Sequence, residues 1–143
     1  MLSIGALVLA ALFSGAALYV LLVEHPARAT LDPAAQLTQW KPAYQRGTLM
    51  QAPLAALSGL AGVAVWWRWG DLWFLAGGAL MLAAIAFTLV VMFPLNNRLK
   101  ATPPDSATAE TAAMLSRWAS LHAARTLIGL AATAAYAAAL YRA

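Results

Sequence analysis

Four apolar stretches, each about the length of a bilayer crossing, leave this chain few folds to choose from. Residues 4–23, 48–67, 72–93 and 119–141 each run to roughly twenty residues, which at about 1.5 Å of rise per residue matches a hydrocarbon core roughly 30 Å thick. In hydrocarbon each backbone N–H and C=O has to be satisfied within its own segment, so stretches of this kind are helices. With 143 residues, 63% of them hydrophobic and 10% charged, there is room for one bundle and no separate soluble domain. The sequence predicts a single all-α integral membrane domain over residues 1–143, a four-transmembrane-helix up-down bundle with a short interfacial helix in the first long loop.

A net charge of +4 in a soluble protein would raise the question of nucleic acid. Here the bases flank apolar spans, where the positive-inside bias accounts for them, so no nucleic-acid partner is expected and the lipid bilayer is the first partner. Arg28, Lys41, Arg46, Arg98, Lys100 and Arg117 fall on the face shared by the long loops, against Arg68 and Arg142 on the other. That asymmetry puts the long loops on the cytoplasmic side of a bacterial cytoplasmic membrane. The chain has no cysteine, which excludes disulfides, thiolate nucleophiles and cysteine-based zinc or iron–sulfur sites. The first span lacks the basic leader of a secretory signal and is read as an uncleaved helix.

Local signals place the connections. Asp32 before Pro33 reads as a helix N-cap followed by proline at the first helical position. A short helix through Trp40 and Tyr44 follows; the two rings are four residues apart, share a face, and suit either headgroup anchoring or contact with a ligand. Trp66, Trp67, Trp69 and Trp73 surround Arg68, Gly70 and Asp71, a tight turn between spans two and three with aromatic anchors on the far side. Pro53 falls in the first turns of span two, where a missing donor costs little. Gly15, Ser58, Gly62, Gly77, Gly78 and Gly129 are small enough to let helices approach closely. The polar, proline-containing segment 100–111 reads as a mobile loop.

An up-down path returns the chain to one face after spans one and three, which gathers Glu24, His25, Trp40, Tyr44, Asn96, Asn97, Trp118 and His122 there. Trp118, His122, Arg125 and Gly129 follow helical spacing and form one stripe of the fourth helix. An arginine within the bilayer costs about 2.5 to 3.5 kcal/mol on insertion scales, so Arg125 has to pair, snorkel or line a wet cavity, and Glu24 is its nearest candidate counter-ion. His122 is a site candidate by its depth, although a histidine near a helix end can also simply bond a neighbouring carbonyl. His25 stands where the first helix ends and complements its dipole. Pro94 marks a boundary after which Asn96 and Asn97 either cap freed carbonyls or donate to a ligand oxygen.

The run Phe87-Thr88-Leu89-Val90-Val91-Met92-Phe93-Pro94-Leu95-Asn96-Asn97-Arg98-Leu99, followed by Arg117-Trp118-x-x-Leu121-His122-x-x-Arg125-Thr126, resembles the DUF1772 or anthrone oxygenase-like family of small four-helix membrane proteins. The resemblance covers nearly the whole chain, including the Gly15 and Tyr19 region of the first helix and the proline-containing start of the second. Some fungal relatives are implicated in oxidising anthrones to anthraquinones without a flavin or haem motif; many bacterial relatives have no assigned activity. Asn96, Trp118, His122 and Arg125 are the positions that match the family signature, and Asn97 belongs to the same run.

The resemblance implies an oxygenase acting with O2 on a flat, lipid-soluble phenolic substrate, with no cofactor. His122 would be the base, Arg125, Asn96 and Asn97 would hold the developing oxyanion, and Trp118, Trp40 and Tyr44, with Glu24 and His25, would contact the ring system. The alternative is a non-catalytic membrane scaffold or accessory protein, a homo-oligomer among the options, in which the His, Arg and Asn side chains form a structural network. A third reading has His25 and His122 ligating haem or a metal between helices, although no haem-attachment or Glu-x-x-His motif is present.

Overall fold

Four long helices carry the chain: α1 over Leu2–Arg28, α2 over Pro33–Trp69, α3 over Leu72–Ala101 and α4 over Ala109–Tyr141, each long and apolar enough to cross a membrane. They are seen in a computed structural model that describes residues 1–142, and no strand occurs among the described residues. The apolar spans expected from the sequence lie inside these helices, so the chain is all-α with multi-pass membrane character.

The helices outrun the spans. At 37 and 33 residues, α2 and α4 are about 55 and 50 Å long, well beyond a core of about 30 Å. The reason for α2 is local. Asp32 accepts a hydrogen bond from the Ala35 N–H at 3.0 Å and Pro33 opens the first turn, as expected, but nothing after that start stops the helix. The short helix expected in the first loop is therefore the opening of α2 itself. Pro42 and Pro53 lie inside this continuous helix and on its exposed flank, rather than in a first turn.

Each helix packs on two main neighbours: α1 on α2 and α4, and α3 likewise on α2 and α4. The register is fixed by small polar contacts. Ser58 Oγ donates to the Ala6 carbonyl at 2.9 Å, the Ser14 and Thr133 hydroxyls lie 3.1 Å apart, and His122 meets the Ala17 carbonyl. Numbers rise along α1 as they fall along α2 and α4, so these neighbours run antiparallel.

The half of the bundle nearest the α2–α3 turn is closed by one aromatic residue. Tyr136 is fully buried, its ring held between Gly62 and Gly77, and its hydroxyl donates to the Ser58 carbonyl at 2.9 Å. A Cβ on either glycine would run into that ring. Gly15, by contrast, touches nothing and has no packing role. The α2–α3 turn uses Gly70 at φ +73°, a left-handed conformation suited to glycine, and Asp71 caps α3 by accepting from the Trp73 N–H at 2.8 Å.

The other half is looser. In both α1 and α3 the last third opens into a π-turn, Val20–Glu24 and Thr88–Met92, and a proline follows two residues later at Pro26 and Pro94. A proline in a helix loses its own N–H and crowds the carbonyl four residues back; widening the preceding turn relieves that clash. The His25 N–H accordingly reaches the Val20 carbonyl, five residues back. The polar segment after α3 is shorter and more tied than a mobile loop would be: α3 runs to Ala101, Pro104–Ser106 forms one 3₁₀ turn, and Thr108 and Thr111 form a capping box at the start of α4. Lys41 Nζ donates to the carbonyls of Lys100 and Thr102 at 3.0 and 2.6 Å, fastening it to α2.

Candidate functional site

Between the two π-turns and the facing parts of α2 and α4 lies a cavity of about 200 Å³. Its walls bring together Glu24, Trp40, Tyr44, Asn96, Trp118, His122 and Arg125, seven residues singled out from the sequence. Asn97 is exposed on α3 and off the cavity wall, and half-buried His25 is not part of that wall either.

The walls are aromatic by construction. Trp40 and Tyr44, one turn apart on α2, stack at 4.8 Å; Trp118 and His122, one turn apart on α4, stack at 5.0 Å; the two tryptophans meet edge to face at 5.7 Å. The spacing of four places each pair on one helix face. Trp40 is wholly buried, so it is a core residue of the bundle and not a headgroup anchor, whereas Trp67, on the far side, is 82% exposed as an interfacial ring should be.

Arg125 and His122 form a three-residue relay with Gln51. Arg125 Nη2 donates to Gln51 Oε1 at 2.7 Å and to His122 Nδ1 at 3.2 Å, while His122 Nε2 lies 3.1 Å from the Ala17 carbonyl. A carbonyl only accepts, so Nε2 carries the proton and Nδ1 holds the lone pair that receives Arg125. Both imidazole nitrogens are thereby engaged. The Arg125 guanidinium also lies 5.4 Å from the Phe13 ring centroid. Glu24 is not its counter-ion, contrary to expectation.

Glu24 pairs instead with Arg28, one turn on in α1. Arg28 Nη2 stands 3.3 Å from Glu24 Oε1, an ion-pair distance without hydrogen-bond alignment, and Gln39 Nε2 donates weakly to the same oxygen at 3.4 Å. Arg28 is only 3% exposed, and its guanidinium carbon lies 5.9 Å from the Trp118 ring centroid. Sequence reasoning counted Arg28 as a loop cation and passed over Gln51. A polar amide within an apolar span was the signal that could have found Gln51.

The chemistry on offer is dominated by donors. Arg28 Nε and Nη2, Trp40 Nε1, Trp118 Nε1, Asn96 Nδ2 and Arg125 Nε are all buried without a hydrogen-bond partner, against one acceptor in the same state, Asn96 Oδ1. All five side chains line this cavity. Buried N–H groups are ordinarily paired, and leaving one unpaired costs about 1–3 kcal/mol, so a cluster of them on side chains that line one cavity is a reserve of donors for acceptor atoms once those side chains shift to meet them. With two guanidinium groups and one carboxylate on the wall, the fixed charge there is positive.

A family model described as anthrone oxygenase matches residues 40–135. No curated protein matches the chain, and no solved structure does. The matched segment contains Trp40, Tyr44, Gln51, Asn96, Trp118, His122 and Arg125; Glu24 and Arg28 precede it.

Proposed function

The chain belongs to the anthrone oxygenase family, and on that premise we propose that it is a membrane oxygenase acting with O2 on a lipophilic phenolic substrate of the anthrone type. The observation that carries this reading is the convergence of stacked aromatic walls and unpartnered N–H donors on one cavity. The bundle is read as an up-down one, with the cavity at the cytoplasmic leaflet of the inner membrane and the long loops beyond it.

An anthrone is readily deprotonated opposite its carbonyl, because the resulting anion is aromatic. The carbanion passes an electron to O2, the two radicals combine to form a carbon–oxygen bond, and protonation gives a hydroperoxide. Loss of water from that carbon takes its remaining hydrogen and breaks the O–O bond. A CH2 becomes a carbonyl, and O2 ends as that carbonyl oxygen and one water. The protein has to supply a base, contacts to the enolate and peroxide oxygens, and shielding from water.

Trp40, Tyr44 and Trp118 flank the rings, and Arg125, Asn96 and Arg28 hold the oxygens. The base is Glu24, the carboxylate on the wall, whose Oε2 is unengaged. His122 acts as a positioning residue: with both nitrogens engaged, it sets the Arg125 guanidinium toward the cavity. Purified protein supplied with an anthrone should consume O2 and form anthraquinone in equal amounts, well above the spontaneous rate. No acceleration over protein-free buffer would sink this function.

A non-catalytic reading draws on one observation: the His122–Ala17 and Arg125–Gln51 bonds tie α1, α4 and α2 together. On that reading variants at these residues lower stability and nothing else.

A further inference from the structure

The fully exposed part of the cavity lining lies on one side. Of its lining residues, Thr48, Ala52, Leu89 and Phe93 are exposed, all on α2 and α3, whereas those from α1 and α4 are buried or half-buried. Deeper in the bundle these two helices touch backbone to backbone, since a Cβ on Gly78 would lie 2.9 Å from the Gly59 carbonyl oxygen. At the level of the α3 π-turn both helices instead line the cavity. Thr48 and Ala52 begin the apolar part of α2 and Leu89 lies within that of α3, so the gap faces lipid tails. At its upper edge Lys100 Nζ lies 5.8 Å from the Tyr44 ring and 5.5 Å from the Phe93 ring, a cation bridging the two helices above the opening.

We propose that this cavity binds a long-chain quinone of the bilayer, its ring beside the stacked aromatic pairs and its tail leaving through the gap between α2 and α3. A quinone carries acceptor oxygens at opposite edges of a flat ring and no donor, which complements a wall whose unpartnered groups are nearly all donors. Those donors are spread over two levels. Arg28 lies beside Trp118, and Arg125 stands seven residues further along α4, about 10 Å along the axis. A carboxylate or phosphate headgroup would use donors gathered at one point; a ring with oxygens on two edges uses both levels. The lateral gap gives an alkyl tail a path that a closed cavity would deny, and its small edge residue Ala52 leaves room for a chain. A quinone would bind here whether or not the same wall oxidises an anthrone.

The test is photolabelling of the full chain in phosphatidylcholine vesicles with an azido-benzoquinone bearing a decyl tail, beside its tail-less counterpart. Both labels should fall on peptides holding Trp40 to Gln51 or Trp118 to Arg125, and unlabelled decylquinone should compete. Ala52→Trp and Leu89→Trp fill the gap from opposite sides at exposed positions, and helical circular dichroism checks their fold. Each should cut labelling by the tailed probe roughly tenfold or more while leaving the tail-less probe unchanged. Labelling confined to lipid-facing residues overturns the proposal. So does equal competition by a fatty acid, or folded variants in which both probes behave alike. The oxygenase reading is scored separately by anthrone-dependent O2 uptake, so either can fail alone.

Discussion

Replacing Glu24 by Gln and His122 by Phe separates a base from a residue that holds another in place. Glu24→Gln keeps the shape and an oxygen for Gln39 and Arg28, whose contacts are 3.4 and 3.3 Å, but removes the charge that compensates buried Arg28. The Glu24 side chain is 22% exposed, so solvent softens that loss, and a stability cost of about 1–2 kcal/mol follows. If Glu24 takes the substrate proton, activity falls roughly 10²- to 10⁴-fold.

His122→Phe does the reverse. The ring still stacks on Trp118, but the bond to Ala17 is lost inside the bundle and Arg125 loses an acceptor, costing about 2–4 kcal/mol. Arg125 remains tethered to Gln51 at 2.7 Å, so its aim loosens without failing, and activity drops only about tenfold. O2 uptake with an anthrone, read beside thermal unfolding in the same detergent, gives both axes. The assignment is refuted if the His122 variant, still folded at the assay temperature, loses more activity than the Glu24 variant.

Other substitutions probe the remaining links. Asn96→Leu removes two unpartnered polar atoms from a buried position, so it should leave thermal stability unchanged or raise it by about 1 kcal/mol while weakening ligand binding; a clear loss of stability would show that Asn96 is held by the fold. Tyr136→Phe deletes the bond to the Ser58 carbonyl and should cost about 1–2 kcal/mol with activity intact, whereas Gly62→Ala, which forces a methyl against the Tyr136 ring, should cost about 1–3 kcal/mol, both read from unfolding midpoints. Lys41→Met releases the carbonyls of Lys100 and Thr102 and should make the 102–108 connection several-fold more sensitive to protease, by time-course gel; unchanged cleavage would argue against the tether.

Much of the fold was legible because bilayer physics writes it into composition. The placement of the apolar spans, the Asp32-Pro33 start and the Gly70-Asp71 turn are local signals, and each is where the sequence put it. What escaped depends on distant neighbours. A tryptophan and a tyrosine four apart look the same whether they face headgroups or a bundle core; residues of other helices, Met92, Leu95, Leu99, Leu115 and Trp118, bury Trp40. Arg28 looked like one more cation on the positive side, yet the helix continuing past Glu24 brings the two together at i and i+4 and turns both inward. That same pairing is why Glu24 is not available to Arg125, and why the partner of Arg125 is an amide on α2.

The position of the cavity has a physical cause in two prolines. Far from it, glycines on α2 and α3 close the bundle around Tyr136 and leave no room for a ligand. Toward the long loops, Pro26 and Pro94 widen the preceding turn of α1 and α3, and the widened turns contribute Val20 and Glu24 on one wall and Thr88, Leu89 and Met92 on another. A π-turn inserts its extra residue by rotating everything beyond it relative to the helix below, so Arg28 and Asn96, each two residues past its proline, end on the buried side of their helices beside the exposed Ala27 and Asn97. The feature that loosens packing is thus the same one that aims the donors. Removing Pro94, as in Pro94→Ala, should let α3 revert to regular α geometry and swing Asn96 away from the cavity. A ligand affinity that falls in Pro94→Ala as far as in Asn96→Leu, with helix content unchanged, is the expected result; an affinity like that of the native protein would mean that the π-turn is held by packing and not by the proline.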